Sequence, residues 1–353
     1  MKTKFDVIVI GAGPAGAAAA EHIAKAGFDV LLIEKDKLPR KKVCAGIAPP
    51  RIYRLIKKIP ESVIERRFKG YHLFSPSGAE VKSGFLREGV IMNREKFDNF
   101  LVEKAKDAGA EVIDGLKVSR ITDDEVVTGK GAFNSKVIVG ADGANSFVRN
   151  VIGMRYSDLA LGLQYTIELQ NELIDSKIGN WFEVHYGIVD HGHGWIAPHN
   201  NKIKAGIGST DPGFRKNSKE YLNNFIEKIK GERNIRELKI IGIESHLIPV
   251  GGPLDKPCKG NVILIGDAAG FVNPLTGEGI YYAVKSGKSA ADAAGKFLEN
   301  EIDNLEHGYI SELKKKGLMN LSTKLRDEIL SSSYEMEEYI KRLKKLEKIG
   351  KRV

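Results

Sequence analysis

Three glycines near the start of the chain have a spacing that suits phosphate binding. Gly11, Gly13 and Gly16 follow an apolar run at residues 5–10 and open an alanine-rich stretch at residues 14–25. In this pattern the first glycine permits a tight turn, the second lets backbone approach a pyrophosphate, and the third lets the helix lie close to the strand. The helix N-terminus then presents free N–H groups and a positive dipole end. The spacing therefore predicts a dinucleotide site.

An acidic residue follows where such a site binds the sugar. Glu34 ends the next apolar run, residues 29–33, so two strands and one helix make the start of a βαβ unit. A carboxylate there can accept hydrogen bonds from a ribose hydroxyl. Strand, helix, glycines and acid together favour a nucleotide site over a glycine-rich turn that binds nothing, but they fit NAD and FAD equally well.

Two later segments separate these cofactors. The first is an Asp-Gly turn at Asp142, directly after a buried run. In the second, Asp267 ends another buried run, and Gly277 and Gly279 open a long helix that includes Ile280. Asp267 can accept from a ribityl hydroxyl, and the helix N–H groups can stabilise negative charge on a reduced flavin ring. An NAD site needs no second strand and helix of this kind, so the cofactor predicted is FAD.

The elements that carry these residues alternate between strand and helix, but β-rich stretches at residues 71–91 and 159–209 interrupt them. We predict an α/β fold in which a Rossmann-like FAD-binding domain is interleaved with an antiparallel β-sheet substrate domain, followed by C-terminal helices. The predicted boundaries are 1–70, 93–155 and 251–300 for the FAD-binding domain, 71–92 and 156–250 for the substrate domain, and 301–353 for the helical segment.

The composition limits the other function classes. The 353 residues carry a formal charge of +9, which suits an anionic membrane, a phosphorylated ligand or nucleic acid. No nucleic-acid-reading module is recognisable, so nucleic acid is not a predicted partner. Two cysteines are too few for a disulfide scaffold, which makes the cytoplasm the expected location. The N-terminal apolar run is too short and too rich in glycine to span a bilayer.

The C-terminus predicts an amphipathic basic helix. Residues 341–353 hold seven basic residues and one acidic residue. Apolar residues recur at three- and four-residue spacing: Met336, Ile340, Leu343, Leu346 and Ile349. Such a helix either lies solvated on the protein surface or docks on a membrane, which would place the protein on the inner face of the membrane.

In order and spacing, the fingerprint, the Asp-Gly turn and the Gly266-Asp267 segment resemble FAD-dependent oxidoreductases of the aromatic-hydroxylase (glutathione-reductase-like) fold. The resemblance covers roughly residues 4–300. Within that group the chain is most similar to the geranylgeranyl reductase family, which includes archaeal digeranylgeranylglycerophospholipid reductases. Three segments support this: Val43-Cys-Ala-Gly46, Gly194-Trp-Ile-Ala-Pro198 and Asn273-Pro-Leu-Thr-Gly-Glu-Gly-Ile280.

The resemblance implies the site residues and the reaction. FAD contacts carried over from the family are Ala15, Glu34, Cys44, Ala45, Arg94, Val118, Asp267, Gly279 and Ile280. The implied reaction transfers hydride from reduced FAD to a carbon–carbon double bond of an isoprenoid lipid. The sequence shows no separate NAD(P)H-binding fold and no iron–sulfur cysteine set, which leaves direct reduction by NAD(P)H or a ferredoxin-like protein as the electron donor. The β-rich segments, including Trp195, would cover the flavin.

Three residues are candidates for catalysis, each with a simpler alternative. Cys44 is either an active-site thiol or an inert buried one. Trp195 is either a wall of the substrate pocket or a packing residue. His193 stands where the family has tyrosine and could supply the proton that follows hydride transfer. His185, His191, His193 and His199 cluster in sequence, but without suitable carboxylate spacing we predict no metal site.

Two other functions remain open on the same fold. The segment from Trp195 to Pro198 also resembles the Trp-x-Trp-x-Ile-Pro signature of flavin-dependent halogenases, so a monooxygenase or halogenase acting on an aromatic compound is the first alternative. The second is a membrane-associated electron-transfer flavoprotein that converts no small molecule.

Overall fold

The computed structural model describes residues 2–122 and 124–348. The strands are β1 Lys4–Ile10, β2 Val30–Ile33, β3 Ile47–Ala48, β4 Ile64–Phe74, β5 Glu80–Met92, β6 Glu111–Ile113, β7 Val118–Ile121, β8 Glu125–Thr128, β9 Gly131–Gly140, β10 Ala160–Glu168, β11 Trp181–Tyr186, β12 Gly192–Pro198, β13 Lys202–Ser209, β14 Lys239–Ile248, β15 Cys258–Lys259 and β16 Val262–Leu264. The helices are α1 Pro14–Lys25, α2 Arg94–Asp107, α3 Phe147–Val151, α4 Asn171–Lys177, α5 Phe214–Glu232, α6 Ile280–Leu298, α7 Leu305–Lys315, α8 Lys324–Ile329 and α9 Ser333–Lys348.

The chain divides into two compact units, each made of separate chain segments. The first unit contains residues 1–42, 94–158 and 249–322, and the second contains residues 43–93, 159–248 and 323–353. This division differs from the predicted boundaries at residues 43–70 and in the predicted helical segment 301–353, of which residues 301–322 fall in the first unit. Residues 43–70 fall in the second unit because β3 and β4 pair with β5. The segment from residue 323 also falls there because α9 packs against β5.

The sheet of the first unit is mainly parallel. Its strand order is β15-β16-β9-β1-β2-β6, and β8 pairs antiparallel with both β9 and β7. The strands β1, β2, β9 and β16 run in the same direction. Because parallel strands place their carboxyl ends at one edge of a sheet, the residues that follow these four strands collect there. They are Gly11, Glu34, Asp142 and Asp267.

Small residues bring the helices of the first unit together. A Cβ atom at Gly16 would lie 1.9 Å from the Gly11 carbonyl oxygen, so only glycine lets α1 lie against the end of β1. A Cβ at Gly287 on α6 would lie 2.3 Å from the Ala15 carbonyl oxygen. The glycine on α6 therefore lets this helix pack closely against α1. That helix begins at Ile280 rather than Gly277, because Gly277 has a φ of 68° that a right-handed helix cannot contain.

The second unit is an eight-stranded sheet in the order β14-β10-β13-β12-β11-β4-β5-β3. Its pairs are antiparallel, as predicted, except that β4 runs parallel to β11. One face of this sheet forms a buried core with α4 and α5. Phe225 comes from α5, and the strands contribute Ile167, Ile196 and Ile207. Because side chains alternate along a strand, the residues between these point to the opposite face.

The apolar stripe of the C-terminal helix is used inside the second unit. Met336 is 3% exposed and Ile340 is fully buried where α9 packs against β5. Ser77 donates a hydrogen bond of 2.9 Å to Glu337 and ties the helix to the loop before β5. The buried part of the stripe is therefore not free to enter a membrane, and Ile349 lies outside the described residues. Over the described ranges, no helix combines the length and apolar character needed to cross a bilayer.

Candidate functional site

The glycine fingerprint leaves open space at the N-terminus of α1. Gly11 has a φ of 105°, and a Cβ there would lie 2.4 Å from the Ala141 carbonyl oxygen, so no other residue fits this turn. At Gly13 the nearest atom outside its chain neighbours is a guanidinium nitrogen of Arg40, 3.7 Å from the position of a Cβ. The backbone at Gly13 is thus open to a ligand, and a cation lies beside it. Ala15, in the first turn of α1, is buried.

Glu34 is held in place at the end of β2. Its carboxylate accepts a hydrogen bond of 2.9 Å from the Ala12 N–H and one of 3.2 Å from the Asp36 N–H. The Arg40 guanidinium lies 3.1 Å from the same carboxylate. Glu34 is buried, so these contacts fix its orientation before any ligand arrives.

Arg40 is a site residue that the sequence did not identify. Its guanidinium also lies 3.4 Å from Asp98, and Asp98 is paired with Arg94 at 2.9 Å. The four charges of Glu34, Arg40, Asp98 and Arg94 therefore alternate in sign through a buried network. The predicted cofactor residue Arg94 belongs to this network as the first residue of α2. The only local signal for Arg40 is its place in the basic run of residues 40–42.

The carboxylate of Asp142 is engaged by the protein itself. It accepts hydrogen bonds from the N–H groups of Phe147 at 2.7 Å and Val148 at 3.1 Å, and from the Ser146 hydroxyl. Burial raises the pKa of Asp142. These bonds stabilise the start of α3, so the carboxylate acts there as a helix cap. The other predicted contact of this region, Val118, is a buried residue at the start of β7.

Asp267 lies beside the start of α6. A Cβ at Gly279 would come within 3.3 Å of the Asp267 carboxylate, which places the acid next to the first turn of the helix at Ile280. A Cβ at Gly277 would meet no atom of the described residues within 4 Å. The Tyr156 hydroxyl donates a hydrogen bond to the backbone carbonyl of Asp267 and so helps to fix the backbone at Asp267. The first unit thus gathers glycines, helix N–H groups, two acids and a cation along one sheet edge.

The second unit contains the remaining predicted residues. Cys44 and Ala45 lie in the loop before β3, and both are half-buried. Trp195 and His193 are two residues apart on β12, so their side chains share one face of the sheet. That face is the one turned away from the core formed with α5.

Trp195 lies flat on a strip of glycine backbone. A Cβ at Gly206 would lie 2.3 Å from the indole ring, a Cβ at Gly208 would lie 3.3 Å from it, and a Cβ at Gly162 would lie 3.6 Å from it. The indole Nε1 is buried and has no hydrogen-bond partner within the described residues. Three glycines on neighbouring strands therefore create room for a flat aromatic surface. A surface of this kind suits an apolar ligand.

His193 is placed between two aromatic rings. Its ring centre lies 6.1 Å from that of Tyr186 and 6.3 Å from that of Trp195. Burial lowers the pKa of His193 to about 4. The imidazole is therefore neutral near pH 7, and it does not hold the additional proton that an acid catalyst would give up.

The other histidines of the sequence cluster have different surroundings. His185 lies 3.0 Å from Glu183 and stacks on Phe74 at a centroid distance of 4.3 Å. His199 contacts Glu65, and His191 is exposed at a turn. Among the residues that the structure describes, no three potential metal ligands come together.

Comparison with known proteins identifies the class of this site. A family model described as FAD binding domain matches residues 4–299, which is most of the chain. The protein is therefore an FAD-dependent oxidoreductase, and the prediction of FAD is confirmed.

Curated relatives define the family more narrowly. A digeranylgeranylglycerophospholipid reductase of Methanosarcina acetivorans is 33% identical and shares 88% of this chain and 80% of its own length. A geranylgeranyl diphosphate reductase of Rhodobacter capsulatus is 33% identical over 84% of this chain and 76% of its own. The chain belongs to the geranylgeranyl reductase family.

Solved structures confirm the fold. A geranylgeranyl bacteriochlorophyll reductase-like protein from Thermoplasma acidophilum matches with a TM-score of 0.78 and 23% identity, covering 94% of this chain and 92% of that one. A flavin-dependent brominase matches with the same TM-score of 0.78 and 19% identity, covering 95% and 90%. At these identities the likeness concerns the fold alone, which reductases and halogenases share.

Proposed function

We propose that this protein uses FAD to saturate carbon–carbon double bonds in the isoprenoid chain of a membrane-lipid precursor. Its membership of a family whose curated relatives are named for geranylgeranyl substrates supports this proposal. The structural observation that carries it is Trp195, which lies flat on the glycines of β13 and presents an apolar surface. A flat apolar surface fits a prenyl chain better than a charged or sugar-like substrate.

The hydrogen-bonding and charged groups at the sheet edge of the first unit fit FAD. The open backbone at Gly13 and the first turn of α1 would bind the pyrophosphate, with Arg40 as the neighbouring cation. Glu34 would accept from the ribose, and Asp267 with the N–H groups at Gly279 would hold the far end of the cofactor. When bound and reduced, FAD supplies the hydride for the double bond.

The chain itself must position the substrate and provide a proton. An isolated alkene accepts hydride poorly, so the double bond has to be held in reacting geometry away from water. We assign this task to the face of the sheet that carries Trp195. Because His193 is neutral near pH 7, we propose that it lines the substrate surface beside Trp195 and does not donate the proton. We therefore assign the proton to the Cys44 thiol, which lies half-buried in the loop before β3.

A lipid substrate implies contact with a bilayer, and the outer side of α9 offers charge for it. Lys341, Arg342, Lys344 and Lys345 are exposed there, although Lys341 and Arg342 also lie near acidic partners. We propose that these cations attract the protein to an anionic surface without inserting it. Co-sedimentation with anionic and with neutral vesicles tests this, and equal binding to both would contradict it.

The experiment for the proposed reaction is an anaerobic assay of the chemically reduced, FAD-loaded protein with lipids that carry geranylgeranyl chains. Mass spectrometry should show products heavier by two hydrogens for each bond saturated. Trp195→Leu should lower the rate more than tenfold, since it removes the flat surface. Trp181→Leu is the matched control, because that tryptophan packs near Lys82 and His72. Unchanged lipid masses, or turnover that requires oxygen and an aromatic substrate, would contradict the proposal.

A further inference from the structure

The loop that carries the predicted active-site thiol is held by two side chains, those of Lys204 and His199. We call residues 43–46 the Cys44 loop. The Lys204 ammonium donates a hydrogen bond of 2.7 Å to the carbonyl of Cys44. The Nε2 atom of His199 lies 3.1 Å from the next carbonyl, that of Ala45. Lys204 is on β13 and His199 directly follows β12, so one hairpin supplies both contacts.

The other end of the Cys44 loop is fixed by backbone. The Met92 N–H donates a hydrogen bond of 2.8 Å to the Gly46 carbonyl. Gly46 has a φ of 78°, and a Cβ there would lie 2.3 Å from the Met92 carbonyl oxygen. The loop is therefore pressed against the end of β5 at Gly46. Its Cys44 end is where side chains determine the position of the backbone.

The ring of His199 lies between two oxygen acceptors. Its second ring nitrogen, Nδ1, contacts the Glu65 carboxylate, so both nitrogens face acceptors. Glu65 also lies 3.0 Å from Lys202. Burial acts to raise the pKa of Glu65, but the hydrogen bonds and charges of His199 and Lys202 hold it at about 2. Burial lowers the pKa of His199, but both of its ring nitrogens face acceptors, and this geometry favours the doubly protonated ring.

Lys204 also has an acidic partner on the sheet. The Glu244 carboxylate on β14 lies 3.9 Å from the Lys204 ammonium, and Gln164 on β10 donates to the same carboxylate at 3.0 Å. Lys204 is only 16% exposed at its side chain, so it does not reach freely into solvent. Two half-buried acids, Glu65 and Glu244, thus anchor the two side chains that hold consecutive carbonyls.

We propose that Lys204 and His199 are positioning residues that fix the peptide between Cys44 and Ala45, and with it the direction of the Cys44 thiol. The purpose of this arrangement rests on the proposed function, in which the thiol gives a proton to the substrate. The arrangement itself is a property of the second unit and is measurable without cofactor or substrate.

The test measures the reactivity of Cys44 in a Cys258→Ser background, which leaves it as the single thiol of the chain. Lys204→Met removes the donor at similar length, and Lys204→Arg restores one. We expect Lys204→Met to increase the rate of thiol modification about tenfold, the effect of losing one hydrogen bond to a charged group. Lys204→Arg should return the rate to within about threefold of the parent. Lys239→Met, in an exposed ion pair with Glu168, should leave it unchanged.

Hydrogen exchange of the peptide that contains the Cys44 loop provides the second readout. In Lys204→Met and in His199→Gln, the protection of the Cys44 loop against exchange should fall about tenfold, while the protection of β10 and α5 should stay that of the parent. A protein that is merely destabilised would lose protection everywhere. Parent-like thiol rates and parent-like exchange in both variants would overturn the proposal. If the parent protein reduces no prenyl lipid, the proposed function fails, while these two readouts still decide the positioning role.

Discussion

A single methyl group at Gly206 should displace the aromatic surface of the second unit. A Cβ at this position would lie 2.3 Å and 2.5 Å from two atoms of the Trp195 ring and 2.8 Å from the Cβ of Gln164. Contacts under 3.0 Å do not persist between such atoms, so Gly206→Ala must tilt the ring or move β13. Gly206 has no positive φ, and alanine is therefore acceptable to the backbone itself.

The magnitude follows from which part of the structure moves. If the strand resists, overpacking should lower the free energy of unfolding by about 1–3 kcal/mol. If the ring tilts, the bound double bond is misplaced by about 1 Å, and kcat/KM for the prenyl lipid should fall about 10- to 100-fold. The FAD content of the purified variant should remain that of the parent, because the predicted phosphate and ribose contacts lie in the other unit.

Gly84→Ala provides the matched control for this substitution. A Cβ at Gly84 would meet the ring of Trp181 at 3.9 Å, which is ordinary van der Waals contact. We expect its stability to change by less than about 0.5 kcal/mol and its activity to stay close to that of the parent. Urea unfolding and anaerobic turnover measure both variants. If Gly206→Ala matches Gly84→Ala in both assays, the reasoning about the Trp195 surface is refuted.

Three further predictions concern other parts of the molecule. Gly287→Ala would place a Cβ 2.3 Å from the Ala15 carbonyl oxygen, so the ratio of flavin to protein absorbance should fall by more than half, and an unchanged ratio would contradict the packing argument. Glu65→Gln should cost about 3 kcal/mol at pH 7, because the pKa of this carboxyl is lowered from 4.5 to about 2. The difference from the parent in urea unfolding should shrink as the pH falls below 4.5, since Glu65 stabilises only while ionised. His193→Phe should reduce prenyl lipids at a rate within about threefold of the parent rate between pH 6 and 8, because the pKa of His193 is about 4. A rate more than tenfold below that of the parent would contradict this and would indicate that His193 donates the proton.

The sequence predicted the cofactor and much of the first unit because those signals are local. A glycine spacing, a strand and an acid at its end all lie within a short stretch, and parallel pairing then brings the strand ends together. Arg40 was missed because its partners, Glu34 and Asp98, meet it only after the chain has folded. The capping role of the Asp142 carboxylate was also missed, although its partners Phe147 and Val148 lie only five and six residues further along the chain.

The boundary errors have a physical cause as well. The strand β4 carries several charged residues and register shifts, so its sequence lacks the clean alternation that marks a strand. The stripe on α9 was correctly seen as apolar, but periodicity does not reveal what covers it. Burial of Met336 and Ile340 shows that part of the cover is protein.

The central claim is that hydride passes from the flavin of this protein to an isoprenoid double bond. Anaerobic mixing of the reduced, FAD-loaded protein with a geranylgeranyl lipid tests it most directly. The absorbance of oxidised flavin should return at the rate of product formation, with one flavin oxidised for each bond saturated. A flavin that stays reduced in the presence of the lipid, and regains its colour only when oxygen enters, would contradict the claim.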